Sequence, residues 1–418
     1  MAASIRKFGV EELRSALAPD AAAGQKAAFD RFAETGLPHH KIEAWKYSSL
    51  VHLARTAFQP SPANTELVEQ DLPPSLGTDG RIVVVNGQVS RSLSTLSAFG
   101  LPPALGAENA KLTSASDPMV SLAQSLTNDG FLIWERGRSC LTGVPIEPRV
   151  LEVLYLTVPG LSPQISNFLN VISIEAGAET TLIERHVVVG DGEPTLMNGA
   201  THIRIRDGGR LHHVKLQAEG SNANHVWHTV VEVERGCTYN SHVVSTGGLL
   251  ARNAVSVELL GEGAHCTLDG AYAGRDRQHL DHTSKIVHAV ADTTSRQVYK
   301  GVLDDNSRGV FQGHIVVAED AQRTDGHQLN RALMLSDHAE IDSKPMLEIY
   351  ADDVKCSHGA TAGDLDDTQL FYLQSRGIPR DEARRLLVEA FLAETIDNIP
   401  FEPAREAALT LVQEHLAR

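Results

Sequence analysis

The 418-residue chain is predicted to be mainly β, with a long parallel β-helix core between helical regions at its two ends. Three observations predict it. From about residue 150 to residue 363, short alternating β runs recur, broken by Gly or Asp turns. Similar turns centre on Gly177 (IEAGAE), Gly208 (IRDGGR), Gly236 (VERGCT) and Gly263 (LGEGAH), at intervals of 31, 28 and 27 residues, the scale of a stacked repeat. No helical pattern interrupts the series. In such a stack each coil covers the edge of the last, so only the two ends stay unpaired and must be covered or joined to another chain. A pair of β-sandwiches is the alternative architecture, which periodicity alone leaves open.

Four regions follow. Residues 1–58 form an N-terminal helical region: Phe8, Leu13 and Leu17 recur at near-helical spacing, as do Ala28, Phe29 and Phe32, and Gly36 with Pro38 stops the second helix. Residues 59–149 form a mixed connecting region, rich in Pro, Ser and Gly up to Pro103, with a short strand at Arg81 to Asn86 and a helix through Met119 to Leu126. Residues 150–363 form the β-helix core. Thr201 to Arg206 sets Ile203 and Ile205 against polar neighbours; His213 to Gln217 sets Val214 and Leu216 against His213, Lys215 and Gln217; Val231 and Val233 repeat the pattern. Residues 364–418 form a C-terminal helical domain. Asp364 and Asp366 are N-cap candidates, Gly377 ends the first helix, and Pro379 starts the next at its favoured first position. An apolar stripe through Ala383, Leu387 and Phe391 must pack on the core or on a partner.

Composition narrows the function classes. A net charge of −16 argues against a nucleic-acid partner, because phosphate binding needs a basic footprint. No apolar run reaches the roughly 20 residues of a membrane span, and the start MAASIRKFGVEELRS lacks the apolar stretch of a signal peptide. Four cysteines without a CxxC pair fit a reducing compartment, so a cytoplasmic location is expected, or an organelle stroma if a transit peptide was trimmed.

The chemistry concentrates in YADDVKCSHGATAGDLDDTQLFYLQSRGI, from Tyr350 to Ile378. If Val354 to His358 is a strand, Cys356 and His358 point to one face, with about 6–7 Å between their positions. Both are soft or borderline metal ligands. Two ligands do not close a structural metal site, which takes four. A metal here is held loosely or shared with another chain, which suits passing it on.

That segment resembles the SufB/SufD family of iron–sulfur cluster assembly scaffolds, the SufD branch in particular. GLPHHKIEAWKYSSL (Gly36 to Leu50) resembles the family's N-terminal signature through Glu43, Trp45, Lys46 and Tyr47, and Gly301 to Asp397 resembles its shared core and C-terminal region. SufB-like chains read Glu-His-Glu where this chain has Ser357-His358-Gly359. They also carry a cysteine near Arg331 to Ser336, where this chain reads RALMLS, and many have one at the position of Leu373. The chain departs from the SufB pattern at those chemical residues. The resemblance implies a right-handed β-helix and a non-catalytic scaffold. It implies that His358, with Cys356, helps assemble a nascent iron–sulfur cluster, or iron, held transiently at an interface with a SufB-like paralogue; His358 is the implied metal ligand. It further implies docking of a SufC-like ABC ATPase on the C-terminal helices, for which Tyr372, Arg376, Gly377, Pro379 and Arg384 are the expected contacts. A cysteine desulfurase system would supply sulfur, and the chain alone would form a homodimer through the same surface.

The remaining candidates have plainer readings. Of 19 histidines, 15 fall between His186 and His358, and His202, His213 and His228 lie on the polar phase of strands, which reads as the outer face of a solenoid. His279 and His282, flanked by Asp276 and Asp281, have a ligand-like but common spacing. The pairs Asp304–Asp305, Asp352–Asp353 and Asp366–Asp367 admit a rival function, a parallel β-helix carbohydrate-active lyase or hydrolase working through two carboxylates. Only 5% of the residues are aromatic, and the Asp pairs read more simply as turn and cap residues. Cys140, Cys237 and Cys266 read as small core residues. No GxxxxGK[ST] occurs, so the chain is not itself a P-loop ATPase, and the resemblance implies that ATPase activity lies in the SufC-like partner.

Overall fold

A computed structural model describes residues 10–15, 17, 19, 21–62, 67–96, 99–100, 117–127, 129–137 and 146–417. Phe8 and Cys140 lie outside the described residues. Five short strands precede the core: β1 (Gln59–Pro60), β2 (Gly80–Val85), β3 (Gln88–Val89), β4 (Phe99–Gly100) and β5 (Gly130–Glu135). The core begins with β6 (Arg149–Thr157), β7 (Gln164–Ile174), β8 (Glu179–Val188), β9 (Thr195–Ile205), β10 (Arg210–Ala218), β11 (Ala223–Val233) and β12 (Thr238–Ser245). It continues through β13 (Leu250–Leu259), β14 (His265–Gly274), β15 (His279–His288), β16 (Thr294–Leu303), β17 (Arg308–Val317), β18 (Thr324–Met334), β19 (Glu340–Ile349) and β20 (Val354–Gly363). The even-numbered core strands stack in parallel as one sheet and the odd-numbered ones as a second. The result is a β-solenoid of about seven turns between residues 149 and 363, with helices at both ends. Parallel pairing throughout the core removes the sandwich alternative.

The glycine turns form a ladder. Gly177, Gly208, Gly236 and Gly263 all have positive φ, between 65° and 75°, where a Cβ is costly. Each glycine amide donates to the turn of the next coil: Gly177 to the Asp207 carbonyl, Gly208 to Arg235, Gly236 to Glu262 and Gly263 to Asp292, at 3.0–3.2 Å. The ladder runs two rungs further on residues that are not glycine. Asp292 (φ 58°) and Arg323 (φ 59°) take the same conformation, and their side chains form an exposed ion pair. Aspartate tolerates this region better than most residues, which accounts for the first substitution.

Alternation along the strands sends Leu211, Tyr239, Cys266, Ile203 and Val231 into the solenoid interior. The outer faces are not bare. On the odd sheet, Ile165, Leu196, Val226 and Leu250 point outward and pack against Phe29, Phe32, Trp45 and Leu50 of the N-terminal region. On the even sheet, Val214, Leu216 and Val244 point outward beneath Val388, Leu392 and Ile396 of the helix Arg380–Ile396. This corrects the outer-face reading of the histidines. His213, Lys215 and Gln217 face inward and are buried, because the apolar phase of β10 is needed outside to seat the C-terminal helices. His202 does lie on the outward phase of β9, yet it is fully buried and bonded to Glu232 at 2.8 Å.

The end regions follow their local signals. The helix Ala23–Thr35 stops at Gly36, whose amide donates to the Phe32 carbonyl at 2.6 Å. The helix Pro118–Leu126 is capped by Asp117. Trp45, in a short 3-10 turn, is buried and donates to the Asp117 carboxylate at 2.8 Å. The Arg252 guanidinium stacks over its ring at 4.1 Å, donates to the Ala44 carbonyl at 2.7 Å and pairs with buried Asp281. The N-terminal signature is thereby pinned to the solenoid flank. At the other end Asp366 caps the helix Asp367–Ser375 by accepting from the Thr368 amide, Gly377 (φ 89°) ends it, and Pro379 occupies the N-cap of Arg380–Ile396, one place before the expected first position.

Candidate functional site at the free end of the solenoid

The last coil, β19 and β20, has no further strand beyond it among the described residues. The strand expected at Val354 to His358 extends to Gly363. Register with β18 pairs Gly326 with Cys356 and Gln328 with His358. Gly326 and Gln328 lie on the buried phase of β18, so Cys356 and His358 share the inward phase of β20. At this coil the interior is open, and His358 is exposed while Cys356 is half-buried. Ser357 faces the other way and bonds His327 at 2.7 Å; His327 in turn contacts Asp325 at 2.8 Å.

Burial pushes the Cys356 thiol up, an effect opposed by a hydrogen bond from the Gly326 backbone. Gly326 matters for a second reason. A methyl group on its Cα would lie 3.4 Å from Ser295 Oγ, 3.5 Å from His288 Nε2 and 3.6 Å from Cys356 Sγ. These are ordinary contact distances, so Ser295, His288 and Cys356 all border the space beside the Gly326 Cα. His288 bonds Thr293 (2.7 Å) and Ser295 (2.9 Å), and burial drives its pKa down to about 4, so it is neutral at pH 7. Pro345 and Leu347 of β19 are half-buried, and Ile349 and Tyr350 are exposed. The free end thus combines two strand edges, an apolar rim and an imidazole beside a thiol. Two such donors with open coordination positions can share an ion or cluster with ligands from elsewhere.

The other expected contacts cluster on an exposed helix–turn–helix. Phe371 and Tyr372 are exposed, and Leu370 is the one buried residue of Asp367–Ser375. Arg376 lies over the Tyr372 ring at 5.2 Å, Gly377 and Pro379 form the turn, and Arg384 is half-buried on the following helix. A cavity of about 630 Å³ lies elsewhere, between the outer face of the even sheet and the helix Arg380–Ile396. It includes His242, Asp269, Arg296 and Arg331, and neither Cys356 nor His358 lines it.

His279 and His282 do not converge. Three residues apart on β15, they point to opposite faces: His279 bonds Ser48 at 2.8 Å outside, and His282 stacks near Tyr272 and Tyr299 inside. Cys237 and Cys266 are fully buried. Asp305 sits in a positive-φ turn, the Asp353 carbonyl accepts from the Arg323 amide, and Asp366 is a helix cap, so one member of each Asp pair serves a turn or a cap. A group that the sequence reading did not single out lies inside the solenoid, where His186, Glu219 and His225 converge.

Residues 162–391 match the family described as SUF system FeS cluster assembly, SufBD core domain. The chain belongs to the SufBD family. Among SufBD relatives, the iron–sulfur cluster assembly protein SufD of Escherichia coli is 32% identical over 396 residues, 91% of this chain and 90% of its own length. A SufBD family protein of Synechocystis is 26% identical over 402 residues, 90% of this chain and 87% of its own. The SufD of Bacillus subtilis is 31% identical over 171 residues, 41% of this chain and 39% of its own. SufBD membership places the chain in SUF-type iron–sulfur cluster assembly, and no described helix is long and apolar enough to cross a membrane.

Proposed function

We propose that this SufBD chain is a SufD-type scaffold subunit without catalysis of its own, acting in the cytoplasm. It pairs with a SufB-like paralogue through the free end of the solenoid and docks a SufC-like ABC ATPase on the exposed turn at Tyr372, Arg376, Gly377, Pro379 and Arg384. A cysteine desulfurase system supplies sulfur, and the nascent cluster or its iron is cargo, shared transiently across the interface. The observation that carries this reading is the exposed His358 beside half-buried Cys356 on the inward phase of the last coil. A neutral imidazole takes ferrous iron while partner thiolate or carboxylate completes the shell. Unpaired strand edges favour pairing with another chain, which for the isolated subunit means a second copy in isologous contact.

Native mass spectrometry of the chain co-expressed with SufB-like and SufC-like partners tests the assembly. One copy of this chain, one paralogue and about two ATPase copies are expected; a chain that ignores both partners refutes the reading. Within that complex His358→Ala is expected to leave the circular dichroism spectrum unchanged and to impair cluster assembly. Normal assembly by the variant removes His358 from the site.

A further inference from the structure

His186 ends an inward-facing series on β8, stacked at 4.4 Å on Tyr155 of the preceding coil. His225 enters from the start of β11, and Glu219 from the turn just after β10. All three are buried, with 1%, 0% and 4% of their surface exposed, and one ligand atom from each lies within 4.8 Å of the others. Glu219 bonds His225 Nδ1 at 3.0 Å and accepts from the Gln217 amide at 2.7 Å. The rings are boxed: His186 meets His225 edge-on at 4.7 Å, and His225 stacks on Trp227 at 5.8 Å.

Hydrogen bonding is incomplete. Both ring nitrogens of His186 and Nε2 of His225 are buried without a protein partner. A neutral imidazole carries one donor and one acceptor, and each left unmade when buried costs about 1–3 kcal/mol. Such groups in a native fold call for a water or an ion. The surrounding charges favour the ion. Glu184 already has His213 as its partner at 3.1 Å. Glu219 has only His225 and the amide of Gln217. Among the described residues, a cation near the group is Lys215, which is buried with its ammonium directed over the Trp227 ring at 4.8 Å.

We propose that His186, Glu219 and His225 form an interior binding site for one divalent transition-metal ion. Two imidazoles and one carboxylate with remaining positions open form the ligand set that suits ferrous iron, and it also accepts cobalt(II) or zinc(II). The site lies on coils preceding the last by several turns and shares no residue with the free end, so it stands whether or not the scaffold reading does. Gln217, held against the Glu219 carboxylate, is the positioning partner such ligands need.

The test uses the full chain carrying His358→Ala and Cys356→Ser, which removes the free-end donors. The chain is refolded anaerobically with cobalt(II) or iron(II), because a buried site loads only as the solenoid forms, and it is then gel-filtered. About one equivalent of metal per chain is expected, with cobalt visible bands of a nitrogen–oxygen site. His186→Ala and Glu219→Gln should each lower retention at least tenfold. Lys215→Met, which removes the opposing charge, should tighten binding, an effect opposite to that of simple destabilisation. Equal metal content in the parent and His186→Ala chains, or a parent that retains none because the group holds only water, overturns the proposal.

Discussion

Acid should unfold this protein by charging histidines that the fold keeps neutral. Burial drives His242, His279, His282 and His288 down to about 4 from an ordinary 6.5, and pushes His186 well below it. Between those values the unfolded chain binds protons that the folded chain does not. The stability tied to these groups is therefore whole above pH 6.5 and is lost as pH falls towards 4. Asp269 acts in the opposite sense. Burial raises it to about 6 from 3.8, so it favours the folded state below 3.8 and loses that effect as pH rises through 6. Near pH 5 each of the four histidines held at about 4 contributes close to one proton of uptake on unfolding and Asp269 releases close to one, leaving these five groups a net uptake of about three. At about 1.4 kcal/mol per proton and pH unit, the slope is about 4 kcal/mol per pH unit. Calorimetric unfolding in two buffers of different ionisation enthalpy counts the protons directly, without assuming that a stacked repeat unfolds in one step. An uptake below one proton at pH 5 would refute the claim that these imidazoles are buried and neutral.

Three further outcomes are expected. Arg252→Ala leaves Asp281 buried without its cation and frees the Trp45 turn; a loss of about 3–5 kcal/mol in denaturant titrations is expected, with the N-terminal segment becoming protease-sensitive. Gly270→Ala would place a methyl 2.2 Å from the Tyr299 ring, costing about 1–3 kcal/mol and visible as a lowered melting temperature. Charge reversal at Arg376 or Arg384 should weaken co-purification with the SufC-like ATPase while leaving the melting temperature within about 2 °C, since Arg376 is exposed and neither side chain forms part of the buried core; undiminished co-purification would move the docking surface elsewhere.

The solenoid was legible because its turns are periodic and glycine is the cheapest residue in a left-handed conformation. The same ladder carried more than its turns. His186, Gln217, Ser245 and Tyr272 each follow a ladder glycine by nine residues, and the strands do pair them in one column. Aligning coils on their glycines would have placed His186 beside Gln217, two residues before Glu219. What alternation could not tell was which phase faces in. On β10 the apolar phase goes outward because the C-terminal helices, more than 150 residues later, cover it. A pattern within one strand holds no record of a cover supplied from so far away. Cys356 and His358 were legible as a pair because a strand's two-residue repeat is local; that the interior opens at their coil follows only from the strand count.

The two ends of the solenoid are unlike. At the first coil, among the described residues, β2 and β5 meet the antiparallel strands β3 and β4, each two residues long, which offer almost no template for a further chain. At the last coil, β19 and β20 present ten residues apiece. A stack with two such ends would polymerise, each molecule seeding the next. With one end blunted, joining at the other terminates growth at two solenoids, whichever chain supplies the second.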